Sequence, residues 1–330
     1  MLEAPEISLI VCVYNQRDYL EMILSALRAQ DWGRPIEVLI CDDGSSDNTL
    51  ETVRHNASSW PFDVRYIWQP DRGFRVARSR NNAIRCAQGA ILVFVDGDTW
   101  LAPSFLRDHW SAHQQGAVIA CGLRRTIARS DLDGLTGLDA ILDGELRKPT
   151  QRENMLQRVW CESARPWLAC LSGNFSIPAG TGIFFDERFE GWGSEDRDFA
   201  YRLFQNGYKP VCLPLPNALH IRPVSDQRRQ MSHDEVVAFL RNKLLLREKY
   251  PNGEMGPSFK MVARCAYEPV TGHWFVRPEN AGTSVETVLS QFESWSEDES
   301  RRRAAPAPSG LLPGSLHHTD ARQMEGQAAR

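Results

Sequence analysis

Two pairs of acids in this sequence stand where carboxylates are costly unless they hold something. The first is Asp96-Gly97-Asp98, reached directly from the five apolar residues Ile91 to Val95. Two hard oxygen donors two residues apart suit magnesium or manganese better than zinc. The glycine between them lets the backbone turn and a ligand come close. The same letters also fit an ordinary polar turn after a strand. The second pair is Glu195-Asp196, inside the run EGWGSEDRDF of residues 190–199. Trp192 lies there between two glycines, a poor place for burial and a good one for stacking on a sugar face. Acids in a first helical turn offset the helix dipole, but Glu195, Asp196 and Asp198 exceed what capping needs.

Three further stretches carry groups of the same kind. Asp42-Asp43-Gly44-Ser45 suits either a ribose or base edge, or a turn that caps the next helix; its spacing of acids and glycine is wrong for an EF-hand. DRGFRVARSRNNAI, residues 71–84, is dense in arginine. Arg75, Arg78 and Arg85 read as a solvated helix face, while Arg80 is the best candidate to face a diphosphate. His220, in NALHIRP, follows a strand. A lone histidine is commonly structural, but a metal held by carboxylates accepts one more ligand.

The elements that must place these groups alternate. ISLIVCVY (7–14), IEVLIC (36–41), VRYIWQ (64–69) and AILVFVD (90–96) read as strands. Residues 19–30, NTLETVRHN (48–56) and 76–87 between them read as helices. Near-continuous apolar strands separated by helices imply a parallel sheet covered on both faces. In such sheets ligands bind beyond the carboxyl ends of the strands, and the strand ends here carry Tyr14-Asn15, Asp42-Asp43 and Asp96-Gly97-Asp98. Further on, AVIACG, CLSGNFSIP and the short KPVCLP read as strands. SEDRDFAYRLFQNGY reads as a helix with a serine cap and an acidic first turn. Residues 234–250 form another helix, KMVARCAYEPVTGHWFVR a hairpin that closes the domain, and SVETVLSQFESW (284–295) one more short helix.

Composition limits the classes. The 330 residues are 42% hydrophobic and 24% charged, enough for a packed core. A net charge of −4 gives no case for nucleic-acid binding. No apolar run is long enough to span a bilayer, and the acidic start MLEAPEISLI is unlike a secretory signal. The eight scattered cysteines form no C-x-x-C pair and read as reduced thiols of a cytoplasmic protein. From Ser296 the composition turns polar and rich in Pro, Gly and Ser, and disorder is expected. The chain is expected to divide into segments 1–116 and 117–223, a C-terminal extension (224–295) and a tail (296–330).

Taken in order, VCVYN, CDDGSSDNT, QPDRGFRVARSRNNAI, LVFVDGDTW, LSGNFSIP, FEGWGSEDRDFAYRLFQNGY and LHIRP resemble the family-2-type inverting glycosyltransferases of the GT-A fold. Within them the chain is similar to one catalytic domain of bacterial chondroitin polymerases. Through GWGSED and the later histidine it is also similar to the β-1,4-galactosyltransferases. The resemblance runs from about Ile7 to Pro223. It implies an α/β fold with a mostly parallel central sheet flanked by helices, and a Mn2+- or Mg2+-dependent transfer from a nucleotide-diphosphate sugar, a UDP-sugar, to a glycan or other hydroxyl acceptor. By the same resemblance Asp43 contacts base or ribose, Asp98 ligates the metal with Asp96 nearby on the nucleotide, and Arg80 and Asn81 match the family's Arg-Asn. Asn174 matches the Asn of a Gly-Gly-Asn turn, and Trp192 and Glu195 contact the sugars. Asp196 is the base and His220 a metal ligand. Ser172 and Ser194 depart from the family by replacing glycines beside the sugars. Two rivals remain: a sugar nucleotidyltransferase, argued against by YNQRDYL where a Gly- and Lys/Arg-rich loop belongs, and a non-catalytic carbohydrate-binding protein on the same fold, argued against by the two intact acid pairs. A single catalytic domain would not by itself build an alternating polymer.

Overall fold

A computed structural model describes residues 4–56, 60–114, 116, 118–129, 144, 157–158, 160–222, 233–252, 254–255, 265–268 and 273–276. The helix expected over 284–295 and the tail from 296 lie outside them. The chain divides into two compact units, Met1–Arg229 and Gln230–Arg330.

The first unit is built on an eight-stranded mixed sheet. Its elements are β1 (Ile7–Val13), α1 (Arg17–Arg28), β2 (Ile36–Asp42), α2 (Thr49–Asn56), β3 (Asp63–Trp68), α3 (Val76–Cys86), β4 (Ile91–Asp96), β5 (Thr99–Leu101), α4 (Phe105–His113), β6 (Val118–Ala128), β7 (Asn174–Pro178), α5 (Glu195–Gln205) and β8 (Lys209–Arg222). The strand order is β3-β2-β1-β4-β7-β6-β8-β5. β3, β2, β1 and β4 run parallel, β7 is antiparallel to both its neighbours, and β6 and β8 are parallel again. All seven residues of β1 are buried, as expected of a strand with helices over both faces.

Two cores hold the sheet in place. On one side α1 turns Leu20, Ile23, Leu24 and Leu27 inward at helical spacing, onto Ile7, Leu9, Val11 and Val93. A second, aromatic core joins Phe94, Phe175, Phe185 and Phe199. Phe94 stacks on Phe175 at 4.7 Å and Phe185 on Phe199 at 3.9 Å. Phe199 lies one turn into α5, so this stack fixes the start of α5, with Glu195 and Asp196, against β4.

Three expectations need correction. KPVCLP is not a short strand but the beginning of the 14-residue β8, and His220 lies within that strand rather than after it. Ser194 does not cap α5 with its side chain: its backbone is left-handed at φ 85° and its hydroxyl is buried without a hydrogen-bond partner. Arg75 is not part of a solvated face. It is buried, with its guanidinium on Pro70 O; Arg78 and Arg85 are the exposed pair, both beside Glu187.

The second unit contains α6 (His233–Lys249) and an antiparallel hairpin of β9 (Cys265–Glu268) and β10 (His273–Val276). Among the described residues no helix is long and apolar enough to cross a membrane.

Candidate active site

The parallel register brings the strand ends to one edge. Val13 is level with Asp42, and Asp42 with Trp68; Cys12 is level with Asp96. Asp42 closes the turn after β2: its Oδ1 accepts from Gly44 N at 2.9 Å and Ser45 N at 2.7 Å, and Tyr66 donates to Oδ2. Asp42 is therefore structural, and Asp43 is the acid held at the edge. Asp43 accepts from Arg75 N at 2.6 Å and from Gln69 Nε2 at 2.5 Å. Burial raises its pKa from the ordinary aspartate value, against those two donors.

Asp96 and Asp98 diverge because the chain turns at Gly97-Asp98, between the end of β4 and the start of β5. Asp96 receives Arg80 at 3.2 Å and Arg124 at 3.5 Å. Asp98 meets His220, with 3.2 Å between Oδ2 and Nε2. That meeting follows from strand pairing: Thr99 is level with His220, and Ile221 N donates to Asp98 O at 2.9 Å. Gly97 has to be small, because a side chain there would press on Gln16 and on the Cys12 carbonyl.

Arg80 joins the two acid pairs. It is 3% exposed, on the inner face of α3, with Nη2 on Asp96 and Nη1 on Glu195 at 3.0 Å. Glu195 is itself buried, and its Oε2 has no hydrogen-bond partner. Burial first, then the charge of Asp196, push the Glu195 carboxyl up to about 7, with Arg80 pulling the other way. Asp196 is partly exposed and accepts from Arg197 N at 2.8 Å. Trp192 is 50% exposed on a loop with left-handed glycines on both sides, Gly191 at φ 80° and Gly193 at φ 88°. A bond of 2.8 Å from Gly191 N to Phe74 O ties that loop to the one before α3.

Asp43, Asp96 and Asp98 thus lie at strand ends of one sheet edge; Arg80 of α3 joins Asp96 to Glu195 at the start of α5, beside Asp196 and the Trp192 loop, and His220 of β8 meets Asp98. Asn81 and Asn174 are placed differently. Both are 1% exposed and bonded to protein. Asn81 donates to Phe185 O and Glu187 at 2.9 Å each and accepts from Phe185 N at 2.8 Å, which clamps the segment before the Trp192 loop. Asn174 bonds His109, Leu123 O and Asn217. Arg124 escaped the sequence reading: nothing in AVIACGLRRTIA marks one arginine as facing Asp96. Only the neighbouring glycine was a hint, since a side chain on Gly173 would collide with Arg124 and Asp96.

Residues 8–160 match the family model "Glycosyl transferase family 2". Validoxylamine A glucosyltransferase of Streptomyces hygroscopicus subsp. jinggangensis is 30% identical over 226 residues, 62% of this chain and 52% of that protein. The chondroitin synthase of Escherichia coli is 25% identical over 226 residues, 61% of this chain and 32% of that one. The chain thus spans about half the length of the first of these relatives and less of the second. A mannosyltransferase from Pyrobaculum calidifontis, solved with GDP-Man and Mn2+, has the same fold at a TM-score of 0.51 and 17% identity, covering 99% of this chain and 80% of that one. Residues 8–160 thus match a glycosyltransferase family 2 domain, and the fold is that of the GT-A glycosyltransferases.

Proposed function

We propose that this chain moves a sugar from a nucleotide-diphosphate donor, a UDP-sugar, to a hydroxyl of a glycan or other acceptor, with inversion and with help from a divalent metal. The observation that carries the reading is Arg80. It is salt-bridged to Asp96 on the strand that ends in Asp-Gly-Asp and to Glu195 on the helix that opens with Glu-Asp. One buried cation thereby gathers the two acid sets that the transfer needs on opposite sides of the sugar.

The donor groups fit a hard cation. Asp98 Oδ1 is buried without a protein partner, while its Oδ2 faces His220 Nε2. Among the described residues no three His, Cys, Asp or Glu side chains group as a metal site. Asp98 and His220 would therefore share Mn2+ or Mg2+ with diphosphate oxygens and water. Bound there, the ion supplies charge stabilisation for the leaving diphosphate. Asp43 is assigned to the base or ribose, Trp192 to a sugar face, and Asp196 to the acceptor proton. Partial exposure supports Asp196 over Glu195, which is buried on Arg80. Asn81 and Asn174 support the site from beneath it. Cys12, Cys41, Cys86, Cys121, Cys161, Cys170 and Cys212 are free thiols, which supports a reducing compartment, the cytoplasm, and the chondroitin synthase relative suggests polysaccharide synthesis.

A donor screen tests the reading. UDP-sugars and GDP-sugars are offered with Mn2+ and with a chelator, and release of the nucleoside diphosphate is measured. Metal-dependent release of UDP is expected. Release of neither nucleotide in any metal, with donor still bound, would turn the reading to a carbohydrate-binding protein.

A further inference from the structure

The assignments above leave two histidines of α4 unused, one buried and one partly buried. His109 is fully buried, with Nε2 2.9 Å from Asn174 Oδ1 and Nδ1 2.8 Å from Ser176 Oγ. His113 Nε2 reaches the same hydroxyl at 2.8 Å. The protons in this cluster follow from Asn174. Its Nδ2 donates to Leu123 O at 3.3 Å and to Asn217 Oδ1 at 3.0 Å, which turns its Oδ1 to His109. His109 Nε2 must then carry the hydrogen. A neutral imidazole has one N–H, so Nδ1 accepts from the Ser176 hydroxyl. That hydroxyl in turn accepts from His113 Nε2–H. Burial pulls His109 down to about 3 and His113 to about 4, which keeps both in the neutral forms that these bonds require.

The far end of this chain of bonds is an irregularity in β6. The register of β6 against β8 slips on each side of Leu123. Bulges leave carbonyls without ladder partners and re-aim the next side chain. Here Asn174 satisfies Leu123 O, and Gln157 Nε2 satisfies Gly122 O at 3.2 Å. The next residue is Arg124, which points at Asp96. Gly122 and Gly173 leave the necessary room: a side chain on the first would collide with the Asn174 amide, and one on the second with Arg124 and Asp96.

We infer that His109 is a positioning residue for the donor side of the site: by donating to Asn174 it holds that amide on the bulge of β6 and keeps Arg124 against Asp96. The inference rests on the reading of that edge as a nucleotide-diphosphate site. It extends that reading to a histidine that touches no ligand.

The test is UDP binding by calorimetry in Mn2+, on the full chain, for wild type, His109→Leu, Arg124→Ala and the double variant. His109→Leu is expected to weaken binding ~10-fold, as loss of an outer-layer partner commonly does. The double variant should be no weaker than Arg124→Ala alone, since both changes remove one arrangement. His109→Gln, which can still donate to Asn174, should recover most of the affinity. Losses that multiply in the double variant, or unchanged affinity in folded His109→Leu, would overturn the inference. If His109→Leu does not fold, Ser176→Ala enters the same cycle, with non-multiplying losses expected and multiplying ones decisive against. Independently of any nucleotide, nitrogen-15 NMR at neutral pH should show His109 protonated at Nε2; protonation at Nδ1 alone would also overturn it. Wild-type protein that binds neither UDP nor GDP would remove the function proposed above, and this inference with it.

Discussion

Glu195 and Asp196 are neighbours in sequence and unequal in setting. The Glu195 carboxyl holds its proton to about 7 in the folded chain, against an ordinary value of 4.5. Between those values the folded state binds more protons than the unfolded one, so stability is greatest below about pH 4.5 and falls as pH rises towards 7. Glu195→Gln should flatten that fall in melting temperature measured from pH 5 to 7; an unchanged slope would show that Glu195 ionises freely. In catalysis the order reverses. If Asp196 takes the acceptor proton, Asp196→Asn should cost ~100- to 10,000-fold in transfer while donor binding survives. Near-normal transfer by Asp196→Asn, with collapse in Glu195→Gln, would move the base to Glu195. Ser194, next to both, is a serine at φ 85° with a buried hydroxyl that has no partner. A left-handed backbone costs a residue with a Cβ roughly 1–2 kcal/mol. Glycine gives part of that back through its freer unfolded chain. Ser194→Gly should therefore raise stability by about 1 kcal/mol in urea unfolding. A loss would mean that the hydroxyl has found a partner worth more than the strain.

The pairing of β5 with β8 turns separate sequence signals into the one pair proposed to hold the metal. Thr99 level with His220 leaves Asp98 facing the imidazole. Asp98→Asn and His220→Ala should each raise the half-saturating Mn2+ concentration, and EDTA should abolish nucleotide release until Mn2+ or Mg2+ is restored. Full activity after exhaustive metal removal would end the metal assignment. The sequence made the first four strands readable because burial on both faces writes them as apolar runs. β8 was readable only in its first residues, KPVCLP, and proline is the reason its full length was missed. Pro210, Pro214 and Pro216 interrupt KPVCLPLPNALHIR, and proline removes a ladder donor. β8 tolerates them because β5 pairs only with Ala218–His220, so the earlier part of β8 has β6 on one side alone. The Arg-Asn pair of α3 was found by motif, yet only the fold shows that Arg80 and Asn81 lie on its buried face and bond protein groups there. A short polar motif carries no mark of which side will be inward. The serine cap failed for a related reason: Ser-Glu-Asp before a helix is the ordinary capping pattern, and the left-handed turn that overrides it is set by the glycines of the Trp192 loop.

At the scale of the whole molecule, every group assigned to the site lies within the compact unit Met1–Arg229. The net charge of −4 is spread over many acids and bases, so under the proposed function a donor would be recognised by local groups around the Arg80 and Arg124 pairs with Asp96 rather than by a bulk field. Sequence composition makes a further claim about the far end. Between Ser296 and Arg330 the large apolar residues are Leu311, Leu312, Leu316 and Met324 alone, set among prolines, glycines and charges. We propose from composition alone that so few apolar groups would bury too little surface to offset the conformational entropy of ordering 35 residues, at ~1–2 kcal/mol each. The three arginines Arg301–Arg303 add at most a weak attraction to an anionic surface, ~1 kcal/mol each at low salt. A chain ending at Trp295 should therefore keep the melting temperature, the Mn2+-dependent UDP affinity and the transfer rate of the full chain. Its binding to vesicles that contain anionic lipid should fall if the arginines act as a tether. A truncated protein that is insoluble, or that has lost UDP affinity while remaining folded, would place part of the tail in the core or at the site.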